Sequence, residues 1–307
     1  MTSSLIISVP GPTLHHAFGE VPEGVELVEW DMVGPPPAAA FDIVVPPYMG
    51  GTAVLAALGD VTARLVQSQS IGYDGVQTFL PPGNVFANAA SVHETSTAEL
   101  TLALMLAAQR GIPQFVRAAE QGHWAPARLA SLADRTVLLV GYGGVGRAVE
   151  ERLAGFEVTV VRVASRSRED VSGHIHGIDE LPTLLPQADI VVIGVPLTAE
   201  TTRLVDDGFL SLMKDGALLV NIARGAVADT TALLDHAGRG RIRLALDVTD
   251  PEPLPDGHPL FAMPNVLISP HVGGASSAMI PRMARLLRRQ VDRMLRGEEP
   301  LNVVVRS

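Results

Sequence analysis

Val137-Leu138-Leu139-Val140-Gly141-Tyr142-Gly143-Gly144-Val145-Gly146-Arg147 is the stretch on which the reading of this chain turns. An apolar run of strand length is followed by G-x-G-x-x-G, and a helical pattern then runs from Val145 to Leu153. Gly141 permits a tight turn, Gly143 lets a pyrophosphate approach the backbone, and Gly146 lets the helix pack close to the strand. The helix N-terminus then offers unpaired N–H groups to the phosphates. Tyr142, Gly144 and Val145 complete this turn. A glycine triplet alone is a weak signal; between a strand and a helix it reads as a dinucleotide site.

The pattern outward from this turn is regular. Strands are predicted at Thr136–Val140, Val158–Val163, Ile190–Gly194, Ala217–Ile222, Leu244–Val248 and Val266–Ser269. Helical segments near Leu181–Leu185, Phe209–Met213 and Thr231–Ala237 separate most of them. Repeated βα units predict a doubly wound parallel sheet. The first ~90 residues repeat the theme in a smaller α/β unit, with strands at Leu5–Val9, Val25–Trp30, Phe41–Val45 and Arg64–Gln69 and part of a helix at Thr52–Leu58. Ser91-Val92-His93-Glu94 has the spacing of a capping box. It opens a long apolar helix through Leu100, Leu102, Leu104, Met105, Leu106 and Ala108, which closes near Gly111-Ile112-Pro113. Such a helix should be buried between domains or between subunits. The Arg-rich amphipathic segment Met279–Leu295 is expected to return to the first domain. The expected division is 1–96 with 277–307 as a discontinuous substrate domain and 97–276 as the dinucleotide-binding domain.

Composition narrows the function. A chain of 307 residues suits two cores, since single cores stop growing near ~250–300 residues. A net charge of −10 argues against a nucleic-acid partner, which needs a basic face. No apolar run reaches the roughly 18 residues that span a bilayer, and the start has no basic n-region, so a cytoplasmic protein without a membrane partner is expected. The absence of cysteine excludes disulfides, thiolate metal sites and a Cys nucleophile. Lys214 is the only lysine and sits in a polar turn, which argues against Schiff-base chemistry. His15-His16 and His174-x-His176 are read as solvated, and no third ligand at recognisable spacing supports a metal.

If the ligand were NAD, an acidic residue about 20 positions past the first glycine would accept from the ribose 2′-OH. The place 21 positions past Gly141 is Arg162, and Arg162-Val163-Ala164-Ser165-Arg166-Ser167-Arg168 holds no acid before Glu169. Guanidinium groups and serine hydroxyls bind a 2′-phosphate where a carboxylate would repel it. NADP is therefore expected rather than NAD, with Arg162, Ser165 and Arg166 as contacts; a merely solvated basic loop is the bland alternative.

Three downstream segments place polar residues at expected strand ends, where such sheets hold ligands. They are Asn221-Ile222-Ala223-Arg224-Gly225, Asp247 to Leu254 with Glu252 between two prolines, and Ser269-Pro270-His271-Val272-Gly273-Gly274. With Ile71-Gly72-Tyr73-Asp74, Ala98-Glu99, the glycine turn and Val195-Pro196-Leu197-Thr198-Ala199-Glu200-Thr201, the chain resembles the D-2-hydroxyacid dehydrogenase family along nearly its whole length. The resemblance implies a flavodoxin-like substrate domain beside a Rossmann cofactor domain, and a homodimer built on the helix after Ser91 and the arm to Trp124. It implies a small 2-oxo or 2-hydroxy acid partner, with catalysis by Arg224, Glu252 and His271. Val195, Pro196, Thr201, Ile222, Ala223, Asp247 and Gly273 would touch the cofactor together with Arg224 and His271. The loop at Ile71 and Gly72 would hold the substrate carboxylate by backbone N–H groups, and Tyr48 and Met49 would meet its side chain. A hinge near 96 and 276 would close over the substrate.

The implied roles agree with the chemistry. A cation is needed to hold the carboxylate and polarise the ketone, and Arg224 supplies one. An acid must protonate the developing alkoxide, and histidine ordinarily titrates near working pH. Glu252 would hold that imidazole and favour its charged form. Two alternatives stay open: a non-catalytic NADP(H)-sensing binding protein on the same scaffold, and an enzyme for an inorganic or one-carbon substrate such as phosphite or formate.

Overall fold

Side chains buried on both faces of the central strands build both sheets of the computed structural model, which describes residues 4–171 and 173–307. In chain order the first elements are β1 (Leu5–Val9), α1 (Pro12–Phe18), β2 (Val25–Glu29), β3 (Ala40–Val44), β4 (Thr62–Gln67), α2 (Val76–Phe79), β5 (Val85–Ala87), α3 (Glu94–Arg110) and α4 (Ile112–Glu120). Next come β6 (Thr136–Val140), α5 (Gly144–Leu153), β7 (Thr159–Ala164), β8 (Arg168–Asp170), β9 (Gly173–Gly177), α6 (Leu181–Leu184) and β10 (Ile190–Ile193). The chain ends with α7 (Asp207–Leu212), β11 (Leu218–Asn221), α8 (Thr230–Gly238), β12 (Arg243–Leu246), α9 (Pro259–Ala262), β13 (Val266–Ile268), α10 (Met279–Leu295) and β14 (Val303–Arg306). These elements form two compact units, Met1–His93 with Ser276–Ser307, and Glu94–Ala275.

The first unit holds a six-stranded sheet in the order β14-β5-β4-β3-β1-β2. Its strands are parallel except β14, which runs antiparallel to β5. The order β2-β1-β3-β4-β5 is that of a flavodoxin-like sheet. Ile7, Val9, Ile43 and Leu65 face one core with α1 and α10, while Phe41, Val44, Val66 and Phe86 face another. The apolar run Val303-Val304-Val305 is the signal for β14 that the reading of the sequence passes over.

The second unit holds eight strands in the order β13-β12-β11-β10-β6-β7-β9-β8, parallel except for the β8–β9 hairpin. Leu138, Val140, Val191, Ile193, Leu219 and Leu244 cover one face of the sheet. Val137, Leu139, Ile190, Val192, Leu218 and Ala245 cover the other. Strands buried on both faces read as continuous apolar runs, which is why they are legible in the sequence. The order is that of a Rossmann sheet, whose direction of winding reverses between β6 and β10.

One local expectation is corrected. The helix after Ser91 begins at Glu94, and Ser91 itself has φ 79°, so Ser91 is not an N-cap in the extended conformation that a capping box requires. The helix expected at Thr52–Leu58 is present, wound as a 3₁₀ helix over Thr52–Asp60. No helix among the described residues is long and apolar enough to cross a membrane.

Candidate active site

The glycine turn lies at the switch point of the second sheet, between the ends of β6 and β10. Gly141 has φ 109°, and a Cβ there would stand 2.5 Å from the backbone carbon of Gly194, so no other residue fits. Gly141 and Tyr142 donate their N–H groups to Val163 O at 2.9 and 3.0 Å, which ties the turn to β7. A Cβ on Gly146 would press on Gly141 O at 2.5 Å. Gly143, by contrast, is exposed and has open space where its Cβ would be. An open backbone surface at the start of a ten-residue helix, with first-turn N–H groups beside it, fits a pyrophosphate.

Arg162 does not stand where the sequence places it. β7 continues to Ala164, so Arg162 lies inside the strand, not at its end. Its Nε donates to both carboxylate oxygens of Glu150 on α5 at 2.9 Å, and its Nη2 makes a shorter bond to the same group. Tyr142 donates its hydroxyl to Glu150 and lies under the guanidinium groups of Arg147 and Arg162, 4.9 and 5.6 Å from the ring centroid. Burial by itself would raise the Glu150 pKa; hydrogen bonds from Arg162 and Tyr142 outweigh it and leave the group below its ordinary value. The same pairing raises Arg162. The Arg162 charge is thus neutralised inside the fold. Tyr142, 4% exposed, has its side chain turned into this cluster and its N–H bonded to Val163 O, so it braces the turn.

Past Ala164 the chain is different. Ser165, Arg166, Ser167 and Arg168 are all exposed, and neither arginine forms an ion pair among the described residues. Arg166 and Ser165 therefore occupy the strand-end position that the sequence reading gave to Arg162.

Val195 is buried and Pro196 exposed just after β10. Thr201 is buried; its hydroxyl donates to Pro196 O at 2.6 Å and accepts from Thr198 N at 2.8 Å. Its hydroxyl therefore knits the 196–201 loop together instead of reaching out to a ligand.

The ends of β11, β12 and β13 carry Arg224, Glu252 and His271 on loops joined by backbone bonds. Asp247 N donates to Asn221 O at 2.9 Å, and His271 N donates to Asp247 O at 2.7 Å. Asn221, 1% exposed, accepts from Ala223 N at 3.0 Å and donates to Arg224 O at 3.1 Å, so one buried amide shapes the Ile222–Arg224 turn. Gly225 follows because a Cβ there would lie 1.8 Å from Thr249 O. Arg224 is half-buried, and its Nη1 donates to Ala223 O at 2.8 Å.

From the sequence, Asp247 is expected either to contact the cofactor or to support the site rather than to transfer a proton. It is 3% exposed, and both carboxylate oxygens are taken up by the loop that carries His271. Oδ1 accepts from Ser269 Oγ at 2.6 Å and Val272 N at 2.9 Å, and Oδ2 accepts from Gly273 N at 2.9 Å. A buried ion with three donors is a strong local anchor. Its effect is visible in His271, held at φ 52°, a region that bulky side chains rarely occupy. His271 Nδ1 meets Glu252 Oε1 in a short hydrogen bond, with 28% and 38% of the two side chains exposed. A carboxylate only accepts, so Nδ1 carries the proton and Nε2 faces away from it.

The remaining candidates lie in the first unit. Tyr48 stacks on His93 with ring centroids 5.7 Å apart, and Met49 is 57% exposed with φ 60°. Ile71 O accepts from Asn88 Nδ2 at 2.8 Å, which fixes the Ile71-Gly72 turn, and Gln69 Nε2 donates to Pro46 O at 2.9 Å, which ties that turn to the Tyr48 loop. His93 bonds Gln69 O at 2.6 Å. Sequence reasoning passed over Glu150, and met Asn221 and His93 only as members of longer segments without giving them a role. Only the identity of polar residues inside apolar runs hinted at them.

Residues 102–273 match the family model described as D-isomer specific 2-hydroxyacid dehydrogenase, NAD binding domain. A glyoxylate reductase of Thermofilum pendens is 36% identical over 250 residues, covering 77% of this chain and 73% of that protein. A D-isomer specific 2-hydroxyacid dehydrogenase from Xanthobacter autotrophicus, solved with NADPH and MES, has a TM-score of 0.82 at 28% identity, over 99% of this chain and 98% of that one. An NADPH-dependent glyoxylate/hydroxypyruvate reductase from Sinorhizobium meliloti, solved with NADP and malonate, has a TM-score of 0.80 at 27% identity, with the same coverage.

Proposed function

Because the chain belongs to the D-isomer specific 2-hydroxyacid dehydrogenase family, we propose that it reduces a small 2-oxo acid to the D-2-hydroxy acid with NADPH. The substrate class is glyoxylate, hydroxypyruvate or phenylpyruvate. The observation that carries the proposal is the His271–Glu252 pair, on a loop anchored by buried Asp247 at the carboxyl edge of a Rossmann sheet. Relatives named for glyoxylate reduction support the substrate class.

The roles follow from charge and geometry. Arg224 binds the substrate carboxylate and draws electron density from the neighbouring carbonyl. NADPH, when bound, supplies the hydride that reduces the carbonyl carbon. His271 Nε2–H gives its proton to the carbonyl oxygen as negative charge develops there, and Glu252, bonded to Nδ1, holds the ring in place for the transfer. In the oxidative direction Nε2 takes the proton back. The Ile71-Gly72 backbone and the Tyr48 and Met49 side chains are assigned to the substrate.

The glycine turn, Val195, Pro196, Ile222, Ala223 and Gly273 are assigned to the dinucleotide, with Ser165 and Arg166 on the 2′-phosphate. The absence of an acid at the end of β7 supports NADP. Solved relatives that hold NADPH or NADP point the same way.

A homodimer completes the proposal. α4 buries none of its residues, Ile112 and Val116 lie one turn apart and half-exposed on it, and Trp124 beyond it is 95% exposed. Exposed apolar side chains on this arm support the interface reading.

The test is a set of initial rates with NADPH and NADH across glyoxylate, hydroxypyruvate, pyruvate and phenylpyruvate. We expect NADPH-dependent turnover that falls by about 10²–10⁴-fold in His271→Ala. Cofactor binding without turnover of any 2-oxo acid would overturn the enzyme reading in favour of a dinucleotide-sensing protein. Undiminished turnover in His271→Ala would remove His271 from the chemistry.

A further inference from the structure

The β8–β9 hairpin carries a cluster of metal-binding side chains that the proposed reaction does not use. Ile175 is wholly buried in the core, so the strand's alternation sends His174 and His176 to the opposite face. Their rings meet edge to face with centroids 4.4 Å apart. Glu180, in the turn that follows β9, brings a carboxylate to the same place: Oε1 accepts from Gly177 N at 2.8 Å, and Oε2 bonds His176 Nδ1 at 2.8 Å. One ligand atom from each of the three residues lies within 4.8 Å of the others. Glu169, paired across the hairpin with His174, bonds its Nδ1 at 2.7 Å and so orients that ring.

We propose that His174, His176 and Glu180 form a site for a divalent transition-metal ion of the zinc class. Two imidazoles and a carboxylate are the ligand set such ions take. Tetrahedral zinc with bonds of ~2.0–2.1 Å sets its ligand atoms about 3.3 Å apart. From the 4.8 Å limit, a contraction of at most about 1.5 Å closes the cluster onto an ion, and side chains at the surface can make it. The Gly177 N–H holds the carboxylate as an outer-shell donor does in metal sites. The backbone is already placed, because β9 is paired on both sides, to β7 and to β8. Glu180 is the candidate third ligand that the reading of the sequence did not place beside His174 and His176.

A second cluster, Asp207, Asp235 and His236, is not such a site. Both ring nitrogens of buried His236 are engaged: Nε2 bonds Asp207 at 2.9 Å, and Nδ1 accepts from Arg241 Nε at 2.9 Å. An arginine in that position keeps a cation out. It serves as the control.

The experiment is isothermal titration of the tag-free, chelator-treated full chain with Zn²⁺, with thermal melts in parallel. One equivalent should bind to the wild type, and Tm should rise by about 5 °C at 100-fold excess over Kd. His174→Ala and His176→Ala should each weaken binding by at least ~10-fold, the lower range for losing even an outer-shell partner. Asp235→Asn should bind as the wild type does. Far-UV circular dichroism and NADPH binding confirm that the variants fold. The proposal is overturned if the wild type binds no stoichiometric Zn²⁺, or if binding and the Tm rise survive in the His174→Ala/His176→Ala double variant.

Discussion

Replacing Asp247 by asparagine tests whether the catalytic loop is held in place by one buried carboxylate. Asp247 accepts three hydrogen bonds from Ser269, Val272 and Gly273, two on Oδ1 and one on Oδ2. Asparagine keeps the shape but has one oxygen. If that oxygen faces Ser269 and Val272, the new NH₂ group opposes the Gly273 N–H; if it is flipped, Val272 N loses its acceptor. Bonds to a charged group contribute about 1.5–3 kcal/mol each and neutral ones about 1 kcal/mol. Losing one (about 1.5–3) and weakening two (about 0.5–2 each) therefore costs roughly 2.5–7 kcal/mol. The backbone of His271 is bonded to Asp247 O, so the slackened loop displaces its imidazole. A misplacement of ~1 Å costs on the order of 10²-fold in rate. We expect Asp247→Asn to lower Tm and to reduce kcat with glyoxylate and NADPH by about 10²-fold. Exposed Asp256→Asn is the control and should change neither. An Asp247→Asn enzyme that keeps wild-type kcat and Tm would refute the reasoning, since the anchor would then carry no load.

Further outcomes follow from other contacts. Arg166→Ala should raise KM for NADPH at least ~10-fold and leave NADH kinetics unchanged, as loss of a charge-assisted phosphate contact does; equal effects on both cofactors would count against the 2′-phosphate assignment. Arg162→Ala should act first on stability, because it strands the Glu150 carboxylate, and a lowered Tm without a selective loss of NADPH binding would bear this out. Glu150 has its pKa lowered in the folded chain, so its contribution is fully present above the unfolded carboxylate range and is lost as pH falls through the folded value. The Tm gap between wild type and Glu150→Gln should accordingly be constant near neutrality and shrink in acid; a gap independent of pH would contradict it. Sedimentation at micromolar concentration should give a dimer, and Ile112→Asp/Val116→Asp a monomer; a monomeric wild type would end the interface proposal.

What the sequence determined by itself is whatever depends on near neighbours along the chain. Strands buried on both faces are apolar runs, and the glycine turn has demands met within six residues, so the α/β class and the dinucleotide turn are readable in one dimension. Short polar strands carry no such pattern, which is why β8 and β9 are absent from the sequence reading. The tertiary structure decided the partners. Arg162 lies at the right count from Gly141, yet strand register turns it toward Glu150, 12 residues earlier on α5, and leaves the end of β7 to Ser165 and Arg166. Asp247 looks like one more polar residue at a strand end; three donors 22 to 26 residues away make it an anchor. His271 and Glu252 were singled out by motif, but their hydrogen bond spans 19 residues and exists only because β12 and β13 end side by side. A side chain's type is local information, whereas its charge balance and hydrogen-bond partners belong to whatever the fold brings beside it.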